Sequence, residues 1–198
     1  MSKSSGTSRY PGLTPTKDNL DAEQSVQHEY LANITKKVYN GTIVTQNPDE
    51  SMAGPFNILL YTPTMAQPWC NLQLATAGLL PPVEAESAVL GVLSITRAVY
   101  GIYAHTILAQ KAGFTLSQVE AMLAGDCPSD ITERQSAIFK LAVKLAQMRG
   151  PLDSVSFNEA LFVLGRDGVT AAIQQSAAFM HAAILLNAAD VGLPNSVE

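Results

Sequence analysis

The chain has 198 residues, 47% of them hydrophobic and 15% charged, and carries a net charge of −5 with no cluster of Lys or Arg. Length and composition predict one domain with an ample buried core, exclude a disordered chain, and make nucleic acid or an anionic membrane poor partners. The charged fraction is well under the usual quarter, which leaves room for surface covered by other subunits.

Residues 1–17 are rich in Ser, Gly and Pro and read as a flexible arm; lacking an apolar run, they do not read as a signal peptide. Asp18 or Asp21 opens a first helix, with Val26, Tyr30, Leu31, Ile34 and Val38 at helical spacing, and Asn40-Gly41 stops it. Residues 46–54 form a polar loop and 55–61 a short apolar turn. Pro63 or Pro68 stands at the first position of a helix ending at Gly78. After Pro81-Pro82 come a helix over 84–96 and another over 99–112, closed by Gly113. Three capping-box patterns follow: Thr115 with Gln118, Asp130 with Glu133, and Ser156 with Glu159. Their helices end at Gly125, Gly150-Pro151 and Gly165. A last helix, 170–191, is apolar on nearly every face and rich in Ala, which suits burial and close packing. The fold class is all-α. The most apolar stretch, 177–186, contains His181 and is too short to cross a bilayer, so a soluble, cytoplasmic protein is expected.

Cys70 and Cys127 form no paired-cysteine motif, and His28, His105 and His181 are scattered, so no metal signature is present. The informative segment is 86–113, ESAVLGVLSITRAVYGIYAHTILAQKAG. Glu86, Tyr100, His105, Ala109 and Gly113 stand at the spacing of the carboxymuconolactone decarboxylase / AhpD-like family, which the chain resembles over roughly 50–194. Gly54-Pro55-Phe56-Asn57 and Pro63 resemble the stretch before the catalytic helices of longer members. Leu186-Asn187 and Gly192-Leu193-Pro194 resemble the end of their last helix. The family's peroxidase branch has two cysteines where this chain has Ala98 and Gly101. A reactive thiolate and its resolving thiol are thus missing from the motif, which disfavours thiol peroxidase chemistry.

The resemblance implies a single AhpD-like helical domain over 18–198, assembling as a homo-oligomer, trimer or hexamer. It implies a cofactor-independent acid–base enzyme acting on a small oxidised cyclic carboxylate or lactone. Decarboxylase or lyase chemistry comes first, with isomerase, dehydratase or cyclase chemistry on the same substrate class as alternatives. Members without the cysteines resemble tailoring enzymes of secondary-metabolite biosynthesis. In this reading His105 is the general acid/base, Glu86 its orienting partner, and Tyr100 a hydrogen-bond donor to a developing oxyanion. Gly101, one turn before His105, enlarges the cavity beside the imidazole. Arg97 pairs with a substrate carboxylate, Phe56, Asn57, Tyr61 and Trp69 line a pocket mouth, and His181 reaches it from the last helix. Each residue also has a plainer reading as a helix-start acid, a core ring or a surface ion pair; taken together, those describe a non-catalytic oligomeric binding protein. Geometry discriminates. On one straight helix Glu86 and His105 would lie about 28 Å apart. The chain must therefore fold back between Ser94 and Tyr100, where no Gly or Pro marks a break, or the two groups must come from different subunits.

Overall fold

The computed structural model describes residues 8–17, 19–195 and 197. Residues 1–7 of the expected arm, and Asp18 as a helix opener, lie outside the described residues. Helix α1 (Ala22–Tyr39) opens at Asp21, whose carboxylate accepts from the Gln24 amide N–H while the Gln24 side chain accepts from the Asp21 N–H. It closes on Asn40 in the left-handed conformation, which an Asn tolerates. Next come α2 (Pro55–Leu59), a 3-10 turn at Pro63–Met65, and α3 (Ala66–Ala77). Pro63 starts the 3-10 turn; Pro68 falls in the first turn of α3, where its missing N–H would have had no partner. The rest of the helices are α4 (Pro82–Thr96), α5 (Val99–Ala112), α6 (Leu116–Ala124), α7 (Glu133–Gln147) and α8 (Ser154–Ala188). Among the described residues the only extended pairing is an isolated bridge, Gln46 with Met52, so the fold is all-α.

Helix α4 is the hub. Ala88, Leu90, Val92 and Leu93 are fully buried, and the helix packs against α5, α6, α7 and α8. Gly91 permits a close approach to α7: a Cβ there would stand 2.7 Å from the Ala142 Cβ and 2.8 Å from the Phe139 carbonyl oxygen. A smaller apolar cluster of Leu90, Ala109, Phe114, Val119, Met122 and Phe139 joins α4, α5, α6 and α7.

Two helix starts differ from the sequence pattern. Thr132, not Asp130, caps α7, with Gln135 completing the box, and the helix ends at Gln147, three residues before Gly150. Asp153, not Ser156, caps α8, because its carboxylate accepts from the Ser156 N–H. In both places several capping residues crowd the helix start, and the one whose backbone is extended takes the role. Gly165 (φ 69°, ψ 173°) interrupts α8, but helix resumes at once and runs to Ala188, so the last segment starts earlier than Thr170. The apolar stretch 177–186 thus lies in the part of α8 beyond that break; α8 taken as a whole is long and apolar enough to cross a membrane by length and composition, and 56% of its most apolar window is buried against the rest of the protein.

The described part of the expected arm runs along the body. Arg9 N–H donates to the Ala189 carbonyl at 2.9 Å, Leu13 N–H to Asn57 Oδ1 at 3.0 Å, and Thr14 Oγ1–H to the Asp49 carbonyl at 2.7 Å. Leu13 and Thr14 are buried.

Candidate active site

The site begins with two acids in the first turns of α4. Glu84 and Glu86 stand two positions apart, about 200° around the helix, and so face opposite ways. Glu84 is buried toward α7 and accepts both fork bonds of Arg134, at 2.8 and 2.9 Å. Glu86 faces α5.

The corner between α4 and α5 brings His105 to it. Ser94, Ile95, Thr96 and Val99 are weak helix formers, and Arg97 between them takes the left-handed conformation (φ 56°, ψ 28°), its N–H closing back on the Leu93 carbonyl. Ala98 is extended and opens α5. The Asn187 side chain, from the end of α8, caps the freed Thr96 carbonyl at 2.6 Å. The chain reverses within two residues. His105 Nδ1 then lies 2.9 Å from Glu86 Oε2, within one subunit. Their side chains are 19% and 14% exposed, sheltered yet reachable. Facing a carboxylate, Nδ1 is the nitrogen that carries the proton and donates it. Among the described residues no hydrogen bond engages Nε2. The Phe179 ring meets the imidazole edge-on, at 4.7 Å between centroids.

Glu86 and His105 sit on the wall of a cavity of about 280 Å³, whose apolar surface comes from Phe56, Trp69, Leu108, Phe179 and Leu186 among others. Of the sequence candidates, Glu86, Tyr100, Gly101, His105, Phe56 and Trp69 line it.

Tyr100 reaches the cavity by its ring only. Its hydroxyl donates to the Val44 carbonyl at 2.6 Å, and burial pushes its pKa far up. A phenol has one proton to give, so the expected oxyanion donor is already committed. Tyr100 and Tyr103 instead pin Val44 from both sides, since the Tyr103 hydroxyl accepts from the Val44 N–H at 3.1 Å. Gly54, at φ 63°, lies against the Tyr100 ring, where a Cβ would come within 2.3 Å. Gly101 lines the cavity along with His105, and it has a second role in the packing. A Cβ there would meet the Leu93 side chain at 2.8 Å, so the glycine lets α5 close onto α4.

Four expected pocket residues lie elsewhere. Asn57 is buried under the N-terminal segment, donating to the Tyr10 and Pro11 carbonyls and accepting from Leu13. Tyr61 also donates to the Pro11 carbonyl, at 2.8 Å. Arg97 turns outward at the corner and donates to the Leu123 carbonyl, off the cavity wall. His181 falls on the other side of α8, beside Val92, Met148 and Ile184. In each case a helical position or a turn fixed the direction of the side chain, which spacing alone did not reveal.

The sequence pattern missed Tyr39, Gln73 and Gln175, all on the cavity wall. Gln73 donates to the Ala178 carbonyl at 2.9 Å. The Tyr39 hydroxyl makes no hydrogen bond among the described residues, and burial, with Cys70 and Glu86 nearby, raises its pKa to about 12. Gln175 Oε1 and Trp69 Nε1 are buried without a hydrogen-bond partner. Tyr39 was legible only as the last residue of a helix, and the two glutamines only as polar breaks in apolar helices.

Both cysteines are free thiols. Burial raises the Cys70 pKa to about 11, which keeps it protonated and a poor nucleophile at neutral pH. Cys127 lies beside Ser136, at 3.2 Å, next to the smaller apolar cluster. Among the described residues no three His, Cys, Asp or Glu side chains gather as metal ligands. No protein-family model, curated protein or solved structure matches the chain.

Proposed function

We propose that the protein is a cofactor-independent acid–base enzyme that moves a proton to and from a carbon beside a carbonyl in a small oxidised cyclic molecule. The observation that carries this reading is the 2.9 Å bond from His105 to Glu86 on the wall of a largely apolar cavity. Glu86 fixes the tautomer and leaves Nε2 as the basic nitrogen. The lone pair of Nε2 takes the carbon-bound proton, the C–H electron pair moves into the carbonyl as an enolate, and the imidazolium returns the proton to another carbon. That sequence is an isomerisation, and it consumes no co-reactant. If the bond that breaks is to a carboxyl group, carbon dioxide leaves, the enolate forms the same way, and a protonated His105 quenches it. Glu86 stabilises the imidazolium in either case.

The hydroxyl suited to the developing oxyanion is that of Tyr39, protonated at neutral pH and uncommitted, rather than that of Tyr100. The resemblance to the AhpD-like, cysteine-free proteins supports the same chemistry through the Glu86–His105 spacing. Assembly into a trimer or hexamer is part of the proposal; exposed apolar side chains on α8, Phe162 at 88% and Ile184 at 58%, support it.

The test uses a panel of cyclic β-keto acids, unsaturated lactones and cyclic enones in deuterium oxide, with exchange and carbon dioxide release followed by NMR. Deuterium should enter at carbon with the intact protein and not with His105→Ala. Equal exchange by both proteins, or none by either, sinks the reading.

A further inference from the structure

We infer that the cavity takes a neutral, flat ring compound carrying a carbonyl oxygen and a second hydroxyl or carbonyl, rather than a free carboxylate, and that Trp69 and Gln175 are its recognition residues. This rests on the acid–base reading of the same cavity and narrows its substrate class to the lactone or cyclic ketone.

Charge carries the first half of the argument. No Lys or Arg among the described residues lines the cavity. The one acid on its wall among the described residues, Glu86, is already bonded to the His105 imidazole. A ligand carboxylate would be taken out of water beside an existing carboxylate, with no cation left over to receive it. Arg97, which lies between Glu86 and His105 in sequence, is occupied at the corner. A neutral carbonyl meets no such penalty, and His105 can still take a proton from the carbon beside it.

Orphaned polar atoms carry the second half. Trp69 and Gln175 are each 6% exposed and line the cavity from α3 and α8. Neither Trp69 Nε1–H nor Gln175 Oε1 has a protein partner. Burying a donor and an acceptor unpaired is costly, and both side chains border one small cavity, so a ligand that draws the two atoms toward it would complete the bonds. The indole offers a donor only, so it calls for a ligand carbonyl oxygen. The amide oxygen calls for a ligand hydroxyl; with the amide turned, its NH₂ calls for a second oxygen instead. Between them, Phe56 meets Trp69 edge-on at 6.0 Å and Phe179 meets His105 at 4.7 Å, walls that suit a ring. The volume, about 280 Å³, sits at the small end for ligand pockets and fits one or two fused rings.

The chain has a single tryptophan, so the indole N–H of the intact protein gives one resonance. It is followed during titration with hydroxytetralone (hydroxyl meta to the ketone) and with the carboxytetralone of the same substitution. Hydroxytetralone should move that resonance saturably and bind at least about tenfold more tightly than the carboxylate. Trp69→Phe and Gln175→Met should each weaken it by about three- to tenfold. The inference is overturned if the carboxylate binds equally or better, if neither probe binds, or if binding leaves the indole and both variants unaffected. The deuterium test separates the two ideas. Binding as described without exchange removes the enzyme and leaves the ligand class, whereas exchange on a carboxylate substrate does the reverse.

Discussion

Two acids on one helix, Glu84 and Glu86, receive opposite treatment. On the α7 face, Glu84 is closed: both carboxylate oxygens are taken by the Arg134 fork, and Gly91 next along that face brings the helices into backbone contact. On the α5 face, the Glu86–His105 pair is open: one bond joins the partners, and the second imidazole nitrogen makes no hydrogen bond among the described residues. A pair with every valence used can only hold helices together. A pair with a spare lone pair, beside a cavity, can do chemistry. Sequence separation hides this contrast, because the two acids share a helix turn and the same local charge.

The largest expected effect breaks the open side. His105→Ala should cut turnover by about 10²–10⁴-fold, with Glu86→Gln falling inside that range, measured as deuterium exchange at saturating substrate. Both variants should keep their unfolding midpoints close to the parent's. If either removes fold and turnover together, the pair is architectural and the contrast with Glu84 disappears.

The closed side should behave inversely. Gly91→Ala forces a methyl against the Ala142 side chain and the Phe139 carbonyl, and should cost about 1–3 kcal/mol in urea unfolding. Arg134→Gln leaves the buried Glu84 carboxylate with weaker partners. Because Arg134 is itself 42% exposed, water screens the pair and the loss should be smaller, about 1–2 kcal/mol. Turnover per folded molecule should be unchanged in both. A drop in turnover at constant stability would mean that the α7 face also tunes the site.

Much of the helical framework could be read from residue order. Asp21, Gly113, and Thr115 with Gln118 are punctuation whose physics is local. The convergence of Glu86 and His105 was readable only as a requirement. The reversal at 97–98 has no Gly or Pro; it depends on Arg97 accepting a left-handed backbone and on Asn187, 91 positions from Thr96, capping the freed carbonyl. That is a tertiary condition. The same holds for Tyr100, whose donor capacity is spent on Val44 in a loop 56 residues away, and for Asn57, which serves the N-terminal segment rather than the cavity. Residue type suggested the chemistry; only the packing showed which polar groups were left unspent.

The smallest effect concerns Cys70, behind the aromatic wall of the cavity with Tyr39, Phe56 and Trp69. Burial raises its pKa from 9.0 to about 11, outweighing the bond to Tyr30 that lowers it. The fold therefore favours the thiol over the thiolate. Its contribution to stability is complete below pH 9, where the unfolded chain is also protonated, and is lost as pH rises through about 11. Tyr39 shifts in the same direction, from 10.0 to about 12, so the two must be separated. Cys70→Ser does so: between pH 9 and 11 the parent should lose stability relative to that variant, and below pH 9 the two curves should run parallel. At neutral pH, iodoacetamide should alkylate Cys70 far more slowly in the folded protein than in urea, and Cys70→Ser and Cys127→Ser should leave turnover nearly intact. Rapid alkylation that abolishes turnover would put a thiolate in the chemistry and return the open side of α4 to a structural role.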